Sequence, residues 1–237
     1  MPPDQAYIKY TALQYLEIDK VLHVGMIEPI LHGTAEILYS APDGVLIKEK
    51  RSGAFMLSMQ NDLVGKMLLE KQKGISLLCV CQQGFVDIAA QMFKYGNVLE
   101  CYQSVYPGNK PIKCSTNLEI RLPNFEELKT IKLYYKKISE EELDLLFQLG
   151  NLYVGIYEHK FIGFIGRHLE GSIGLLNVFP EYRGNGFGRT LEIYLINKLL
   201  EQGCRPFCQV ESANHESLYL QTKLGFEISK RTLFWMF

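Results

Sequence analysis

A glycine-rich segment at residues 175–189 constrains the fold of this chain more than any other part of its sequence. Its residues are LLNVFPEYRGNGFGR, an apolar strand followed by a proline corner and a glycine loop that leads into a predicted helix. Gly184, Gly186 and Gly188 expose backbone N–H groups without a Cβ, and the positive end of the helix dipole faces the loop. The segment therefore predicts an anion site of the kind that holds a pyrophosphate.

The residues around this loop predict three strands before it and two helices after it. Residues 152–157, 161–167 and 173–179 are β-rich runs separated by short turns, which is typical of an antiparallel meander. After the loop, a helical stripe ends at Gly203 as at a C-cap. The stripe consists of Leu191, Leu195 and Leu199. A strand at 207–210, a helix from Asn214 to Gly225 and a last apolar strand at 232–237 follow.

The first half of the chain repeats this order less clearly. Its predicted strands lie at residues 35–39, 45–48, 54–59, 75–81 and 98–106, with helices at 62–71 and 85–95. An internal repeat is therefore plausible, although the junction at residues 59–65 has no closely spaced glycines. If the halves are related, only the second kept a phosphate loop.

A break between the halves falls at residues 106–116, which combine a Pro-Gly turn, a second proline and polar residues. We predict domains at residues 1–112 and 113–237 on this basis. Beyond the break, a strand at 118–122 is followed by Ser139-Glu-Glu-Glu142, the pattern of a capping box that opens a helix.

Composition excludes several classes of function. A net charge of -1 over 237 residues disfavours a nonspecific partner of nucleic acid. The amino terminus lacks a basic region followed by an apolar one, and no apolar run approaches the ~18 residues that span a bilayer. We therefore expect a cytoplasmic protein that acts neither on membranes nor on nucleic acid.

The six cysteines predict no metal or disulfide site. Cys79 and Cys81 lie in an apolar run that reads as a strand, a geometry that opposes pairing, and no Cys-x-x-Cys pattern recurs. No histidine pair lies at ligand spacing either, so buried reduced thiols are the favoured interpretation.

Two widespread glycine patterns do not fit the loop. It has no Lys followed by Ser or Thr, and the strand before it belongs to an antiparallel meander rather than a βαβ unit. It resembles the signature of the GNAT superfamily of acyl-CoA-dependent N-acyltransferases, Arg/Gln-x-x-Gly-x-Gly/Ala after a strand that ends near Val-x-Pro. Arg183-Gly-Asn-Gly186 and Gly188, after Val178-Phe-Pro180, match its fixed positions. Asn214 and the ending Lys223-Leu-Gly-Phe226 extend the resemblance, and the two-half organisation resembles the glycine N-acyltransferase branch.

The resemblance implies an α+β fold with tandem GNAT-like domains, each a mostly antiparallel twisted sheet flanked by helices. The first would be degenerate, structural or on the acceptor side, and the second would bind acetyl-CoA or another acyl-CoA as donor, without a metal. Strand and loop backbone would hold the pantetheine arm and the pyrophosphate. The implied cofactor-binding residues are Leu176, Asn177, Val178, Arg183, Gly184, Asn185, Gly186, Phe187, Gly188, Arg189, Thr190 and Asn214. For Arg183, a phosphate contact and an ordering role in the loop are both open.

The implied reaction is direct attack of a primary amine of a small molecule or amino acid on a thioester. A base must take the amine proton, and a donor such as the Val178 backbone N–H must face the developing oxyanion. Glu170 is the first candidate base and Glu211 the second, ahead of His168 and His215.

The family's tyrosine acid is replaced by Gln221, and Tyr219, on the opposite helix face, is expected to pack. A non-catalytic acyl-CoA sensor or partner-binding subunit is therefore the alternative function. The state of assembly, monomer or homodimer, stays open, and the apolar last strand is expected to lie inside a sheet.

Overall fold

The computed structural model of the protein describes residues 4–114 and 117–237, and it contains eleven strands and eight α-helices in these ranges. The strands are β1 (Ala35–Ala41), β2 (Gly44–Glu49), β3 (Phe55–Met59), β4 (Leu78–Val80), β5 (Val98–Val105), β6 (Glu119–Arg121), β7 (Leu152–Tyr157), β8 (Lys160–Arg167), β9 (Ile173–Val178), β10 (Phe207–Glu211) and β11 (Glu227–Met236). The helices are α1 (Gln5–Leu16), α2 (Val24–Leu31), α3 (Asp62–Glu70), α4 (Gly84–Phe93), α5 (Phe125–Tyr134), α6 (Glu140–Gln148), α7 (Phe187–Glu201) and α8 (His215–Leu224).

These elements form two compact units. The first contains residues 4–105, 209–222 and 226–237, and the second contains residues 106–114, 117–208 and 223–225. In chain order, two helices, three strands, a helix, a strand, a helix and a strand occur twice. The predicted domains, residues 1–112 and 113–237, are related halves of a repeat rather than compact units of contact. They stay a prediction. Residues 115 and 116, the end of the predicted break, lie outside the described residues.

The sheet of the first unit has the strand order β1-β2-β3-β4-β11-β5. Strands β3 and β4 are parallel, whereas the other pairs are antiparallel. The last strand of the chain lies between β4 and β5, which confirms the expectation that it is an interior strand. A strand with neighbours on both sides has its backbone groups satisfied and exposes no edge for aggregation.

Two apolar clusters pack against the two faces of this sheet. Residues from α1 and α2 contact one face, and residues from α3 and α4 contact the other. Cys79 and Cys81 belong to the first cluster and lie on the same face, as residues two apart in a strand do. Helices α1 and α2 were not predicted, because the sequence of α1 has no clear apolar stripe.

The sheet of the second unit has the order β9-β8-β7-β6, with Cys208 of β10 paired to Ile173 of β9, and it contains the predicted meander as β7, β8 and β9. Helices α5 and α6 cover one face of it, with Leu128, Ile131, Leu143 and Leu146 packed on Phe164. Side chains of α7 cover the other face, and the predicted stripe of Leu191, Leu195 and Leu199 is buried. The predicted fold class, mixed α and β with a mostly antiparallel sheet flanked by helices, is confirmed.

Helix capping differs from the prediction in one place. Ser139 caps α6 as expected, because its hydroxyl accepts a hydrogen bond from the Glu142 N–H at 3.1 Å. A complete capping box occurs instead at α5, a helix that the sequence did not predict. There the side chain of Asn124 accepts from the Glu127 N–H, and the Glu127 carboxylate accepts from the Asn124 N–H at 2.8 Å.

Over the described ranges, every helix is too short or too polar to cross a bilayer.

Candidate functional site

The glycine loop enters α7 through two residues in the left-handed region. Gly184 and Gly186 both have φ of +79°, and a Cβ at either position would meet no atom within 4 Å. Only glycine adopts this backbone without strain. Gly188 lies in the first turn of the helix, where a Cβ would come within 3.7 Å of Val178 and 3.9 Å of Leu176. The loop is therefore open toward solvent and closely apposed to β9 below.

Two side chains hold the loop in place. The Arg183 Nε donates a hydrogen bond to the Val178 carbonyl oxygen at 2.9 Å. The Asn185 side-chain amide donates to the carbonyl oxygens of Tyr182 and Arg183, at 3.1 and 3.2 Å. The Arg183 bond to Val178 is compatible with the ordering role left open by the sequence, and it leaves a phosphate contact open as well.

The amino terminus of α7 has no side-chain cap. Gly186 occupies the N-cap position and has no side chain to accept from the first N–H groups, whereas the Thr190 hydroxyl donates to the Gly186 carbonyl oxygen at 3.2 Å. In the first unit, by contrast, Asn61 caps α3 and accepts from the N–H groups of Leu63 and Val64 at 3.0 and 3.2 Å. The first N–H groups of a helix lack intrahelical partners. Those of α7 are therefore available to an anion, while those of α3 are occupied.

Strand β9 carries a bulge just before the loop. Phe164 of β8 pairs with Asn177 and Gly166 pairs with Gly174, so two residues of β9 oppose one of β8. Leu175, inside the bulge, has a φ of +55°. Such a value is uncommon for a branched side chain and is retained only where the surrounding structure requires it.

On its other side, and among the described residues of the second unit, β9 pairs with β10 at its beginning alone, through Ile173 and Cys208. The corresponding parallel pair in the first unit, β3 with β4, has three consecutive residue pairs. Residues 174–178 therefore present a half-open strand edge beside the glycine loop.

One backbone donor at this edge has a defined direction. The Phe179 N–H donates to the Ile162 carbonyl oxygen at 2.9 Å, toward β8. Because consecutive N–H groups of a strand point to opposite edges, the Val178 N–H points to the open edge. The Val178 carbonyl on the same edge is already bonded to Arg183. A ligand that adds to β9 at this point would meet a donor.

The predicted residues Asn214 and Glu211 lie in the first unit, near the start of α8. The Asn214 side chain accepts a hydrogen bond from the Ser217 N–H at 3.1 Å, so it caps this helix. Glu211 ends β10, and its carbonyl oxygen accepts from the Asn214 N–H. His215 is exposed in the first turn of α8, as expected.

The two residues compared on α8 do lie on opposite faces, because Gln221 is 2% exposed and Tyr219 is 65% exposed. Tyr219, which was expected to pack, is therefore on the exposed face of the helix. Helical periodicity separates the two faces but does not say which of them is covered.

Glu170, the first candidate base, lies in the turn between β8 and β9 and accepts a hydrogen bond from the Ser172 hydroxyl. The half-buried side chain of Glu142 interacts electrostatically with it and with His168, which is also half-buried. Burial raises the pKa of Glu142. The charge of His168 lowers this pKa, and the charge of Glu170 raises it. Sequence reasoning treated Glu142 only as a capping residue, since the pairing of α6 with this turn has no local signal.

Comparison with known proteins extends these observations. Residues 153–235 match the family described as FR47-like protein. A search of curated proteins gives no match. The protein is similar in structure to a Drosophila protein with a TM-score of 0.66 and 12% identity over 100% of this chain and 97% of that one.

Two GNAT proteins show the same similarity. A GCN5-related N-acetyltransferase-like protein from Streptococcus suis has a TM-score of 0.56 and 16% identity, over 95% of this chain and 99% of that one. A GNAT-family acetyltransferase from Colwellia psychrerythraea has a TM-score of 0.52 and 15% identity, over 99% and 97%. The chain therefore has the fold of GNAT proteins, and the family match covers both the glycine loop and the half-open strand.

Proposed function

We propose that the protein is an acyl-CoA-dependent N-acyltransferase that moves an acetyl or other acyl group to a primary amine of a small molecule or amino acid. The main support for this proposal is that the uncapped start of α7, which follows the glycine loop, lies next to the half-open edge of β9. The fold shared with GNAT acetyltransferases supports it.

The chemistry of the donor fits the residues present. The backbone N–H groups from Gly184 to Thr190 are suited to a pyrophosphate, because they combine open N–H groups with the positive end of a helix dipole. Residues 176–178 are suited to the pantetheine arm, whose two amides need partners when they are desolvated. We assign Asn214, as the resemblance implies, to the thiol end of the same molecule.

The reaction places two requirements on the protein. Acyl-CoA supplies a thioester carbonyl, and an amine attacks this carbonyl directly in a ternary complex. The Val178 N–H, which points to the open edge, would stabilise the oxyanion that develops there. A base must remove a proton from the amine, and Glu170 and Glu211 are the carboxylates proposed from the sequence.

We further propose that the first domain, residues 1–112, is a GNAT-like half that has lost CoA binding and serves the acceptor side or the structure. Two features support this. Asn61 occupies the N–H groups at the start of α3, and β3 and β4 are paired over three residues, without the opening seen beside β9. The similarity to the glycine N-acyltransferase branch rests on this two-half organisation.

The alternative is a protein that binds acyl-CoA without turnover, as a sensor or a partner-binding subunit. Gln221, where many GNAT enzymes have a tyrosine acid, favours it, because an amide cannot protonate a leaving thiolate. A thiol of pKa ~8.5 nevertheless leaves as a thiolate without an acid, so the replacement is compatible with catalysis.

Two measurements test the proposal. Titration with CoA and acetyl-CoA should raise the melting temperature, since a ligand that binds only the folded state stabilises it in proportion to the logarithm of its concentration over Kd. Release of free thiol from acetyl-CoA is then followed with a panel of amines and amino acids. Turnover above the rate without protein would exclude the non-catalytic alternative, and the absence of any CoA-dependent stabilisation would overturn both functions.

A further inference from the structure

The imidazole of His168 lies directly against the backbone of Gly174. A Cβ at Gly174 would overlap the ring at Nε2 and Cδ2, so the glycine makes room for the histidine. Hydrogen bonds within the turn hold both backbone groups of His168, the N–H and the carbonyl oxygen. Its N–H donates to the Ser172 carbonyl oxygen at 2.9 Å, and its carbonyl oxygen accepts from the Gly171 N–H at 3.0 Å. The ring is therefore held at one defined point of β9.

This point lies at the beginning of the half-open edge. Within the second unit, Ile173 is the residue of β9 that pairs with β10, and it comes immediately before Gly174. Gly174 is opposite Gly166, which is in turn opposite Leu152, a residue of the cluster beneath α5 and α6. Directly opposite residues share a face of the sheet, so His168 contacts β9 on the α5–α6 face.

Two carboxylates accompany the imidazole. Glu142 comes from the first turn of α6 and Glu170 from the same turn as His168, and both interact electrostatically within this group. The Glu170 carboxylate accepts a hydrogen bond from the hydroxyl of Ser172, which is 1% exposed. Glu170 is thus tied to the turn, while the ring of His168 reaches the strand. Two acidic groups at this position favour a cationic ligand.

Asn177 provides a second polar atom on the same face. It is opposite Phe164, whose side chain lies in the α5–α6 cluster, whereas its neighbours Leu176 and Val178 contact the α7 side. Its Oδ1 is buried and has no hydrogen-bond partner among the described residues. A buried acceptor without a partner is costly, and an N–H group from a ligand would satisfy it.

We propose that the acceptor substrate is a cationic primary amine that binds on the α5–α6 face of β9, where His168 removes its proton and Asn177 accepts one of its N–H groups. Glu142 and Glu170 are positioning residues that attract the ammonium, so in this inference His168 takes the place of Glu170 and Glu211 as the base. The inference rests on the proposed function, because the half-open edge is where the thioester would lie.

The proton and electron balance of the step is simple. The ammonium group R–NH₃⁺ gives one proton to an imidazole nitrogen of His168, which leaves a lone pair on the amine nitrogen. This pair forms the new C–N bond at the thioester carbonyl carbon as the C–S bond breaks. The sulfur leaves with the bonding electrons and takes the second amine proton as the thiol, and the imidazolium returns its proton to solvent. The step needs no oxidant or reductant.

The decisive experiment compares two histidine substitutions. His168→Asn should lower the rate of acetyl-CoA turnover with a primary amine by about 10²–10⁴-fold, the usual contribution of a positioned base. His159→Asn is the matched control and should leave the rate unchanged, because His159 is exposed in the β7–β8 turn and its φ of +63° suits asparagine. Both variants should keep the CoA-dependent rise in melting temperature.

Two further readouts separate a base from a structural residue. Added imidazole should restore part of the rate of His168→Ala, an effect that repacking of a turn cannot produce. Asn177→Leu, which keeps the volume and removes the acceptor oxygen, should raise the KM for the amine several-fold and leave the KM for acetyl-CoA unchanged.

The possible failures are distinct. If the wild type turns over amines and His168→Asn is equally fast, the inference is wrong and the proposed function stands. A wild type that binds CoA but turns over no amine would overturn both the inference and the enzymatic function. Turnover of uncharged arylamines in preference to alkylamines at neutral pH would contradict the cationic acceptor.

Discussion

The Nε of Arg183 donates a hydrogen bond to the carbonyl oxygen of Val178 at 2.9 Å, across the proline corner between β9 and the glycine loop. This bond joins the two parts of the proposed cofactor site, the strand edge and the anion-binding loop. It also occupies the Val178 carbonyl and leaves the N–H of the same residue as the donor on the open edge. The side chain thereby determines which backbone group of Val178 a ligand meets.

Removal of this bond should weaken CoA binding through the loop. We expect Arg183→Ala to raise the Kd for CoA about tenfold, because a charge-assisted hydrogen bond contributes ~1.5 kcal/mol. Arg183→Lys should weaken CoA binding nearly as much, since lysine keeps the charge but lacks the Nε that makes the bond. Calorimetric titration at low and high salt checks the cause. Recovery of wild-type affinity by lysine, or a loss that disappears in high salt, would point to a direct phosphate contact instead.

A charged side chain at the N-cap of α7 should abolish CoA binding. Gly186→Glu places a carboxylate where the pyrophosphate would lie, so the CoA-dependent rise in melting temperature should vanish. Gly203→Glu is the matched control, because Gly203 also has a positive φ, +72°, and open space around its Cα. Both variants carry the same backbone strain of ~1–2 kcal/mol. A CoA response that persists in Gly186→Glu would contradict the placement of the anion site.

The capping box of α5 should stabilise the second unit. Glu127 accepts two hydrogen bonds from Arg121 at 2.8 Å, and its side chain is 11% exposed. Glu127→Gln should lower the free energy of unfolding by ~1–2 kcal/mol, whereas Glu126→Gln, at an exposed pair with Lys129, should cost less than ~0.5 kcal/mol. Urea denaturation of the two variants measures the difference.

The stability difference between the wild type and Glu127→Gln should depend on pH. Arg121, against a smaller effect of burial, lowers the pKa of Glu127 in the folded state. A lowered pKa adds stability that is present above the pKa of the unfolded chain and is lost as the pH falls through the folded value. The gap between wild type and Glu127→Gln should therefore close in acid. A gap that is constant with pH would show that the charge of Glu127 is unimportant.

The thiol of Cys81, which is buried near His23 in the first unit, should be ionised to a thiolate. A hydrogen bond from Cys79 and, less strongly, the neighbouring His23 together lower the pKa of the Cys81 thiol to about 5 against the effect of its burial. Burial opposes charge on His23, but Cys81 and the Leu16 carbonyl raise its pKa. Thiolate absorbance in the ultraviolet should be present at neutral pH and lost in Cys81→Ser, while Cys101→Ser, in the same apolar cluster, should keep it.

The stability of the first unit should then depend on pH in two ways. The lowered pKa of Cys81 adds stability that is present above its unfolded value and is lost as the pH falls through about 5. The raised pKa of His23 adds stability that is present below its unfolded value and is lost as the pH rises through the folded one. Cys81→Ser should remove the loss of stability on the acid side. Thermal denaturation of the wild type and this variant over a range of pH that includes 5 would test this.

Local patterns predicted the elements around the glycine loop well. Strand β7 has the predicted bounds, and α7 ends at Glu201 shortly before Gly203, which is in the left-handed region. These features depend on turn chemistry and on periodicity within a few residues. The same reasoning missed α5 and did not predict that Gln221 rather than Tyr219 lies on the covered face of α8, because burial of a helix face depends on what packs against it.

The sequence alone determined that this chain has a glycine loop between an antiparallel meander and a helix, since glycines in the left-handed region and a β-to-α change of period are local properties. The tertiary structure decided the rest. Within the second unit β9 pairs with β10 through Ile173 and Cys208, the bulge at Leu175 follows, and His168 meets Gly174 beside two carboxylates. Each of these relationships joins residues from different elements, so it depends on register and packing rather than on neighbours in the chain.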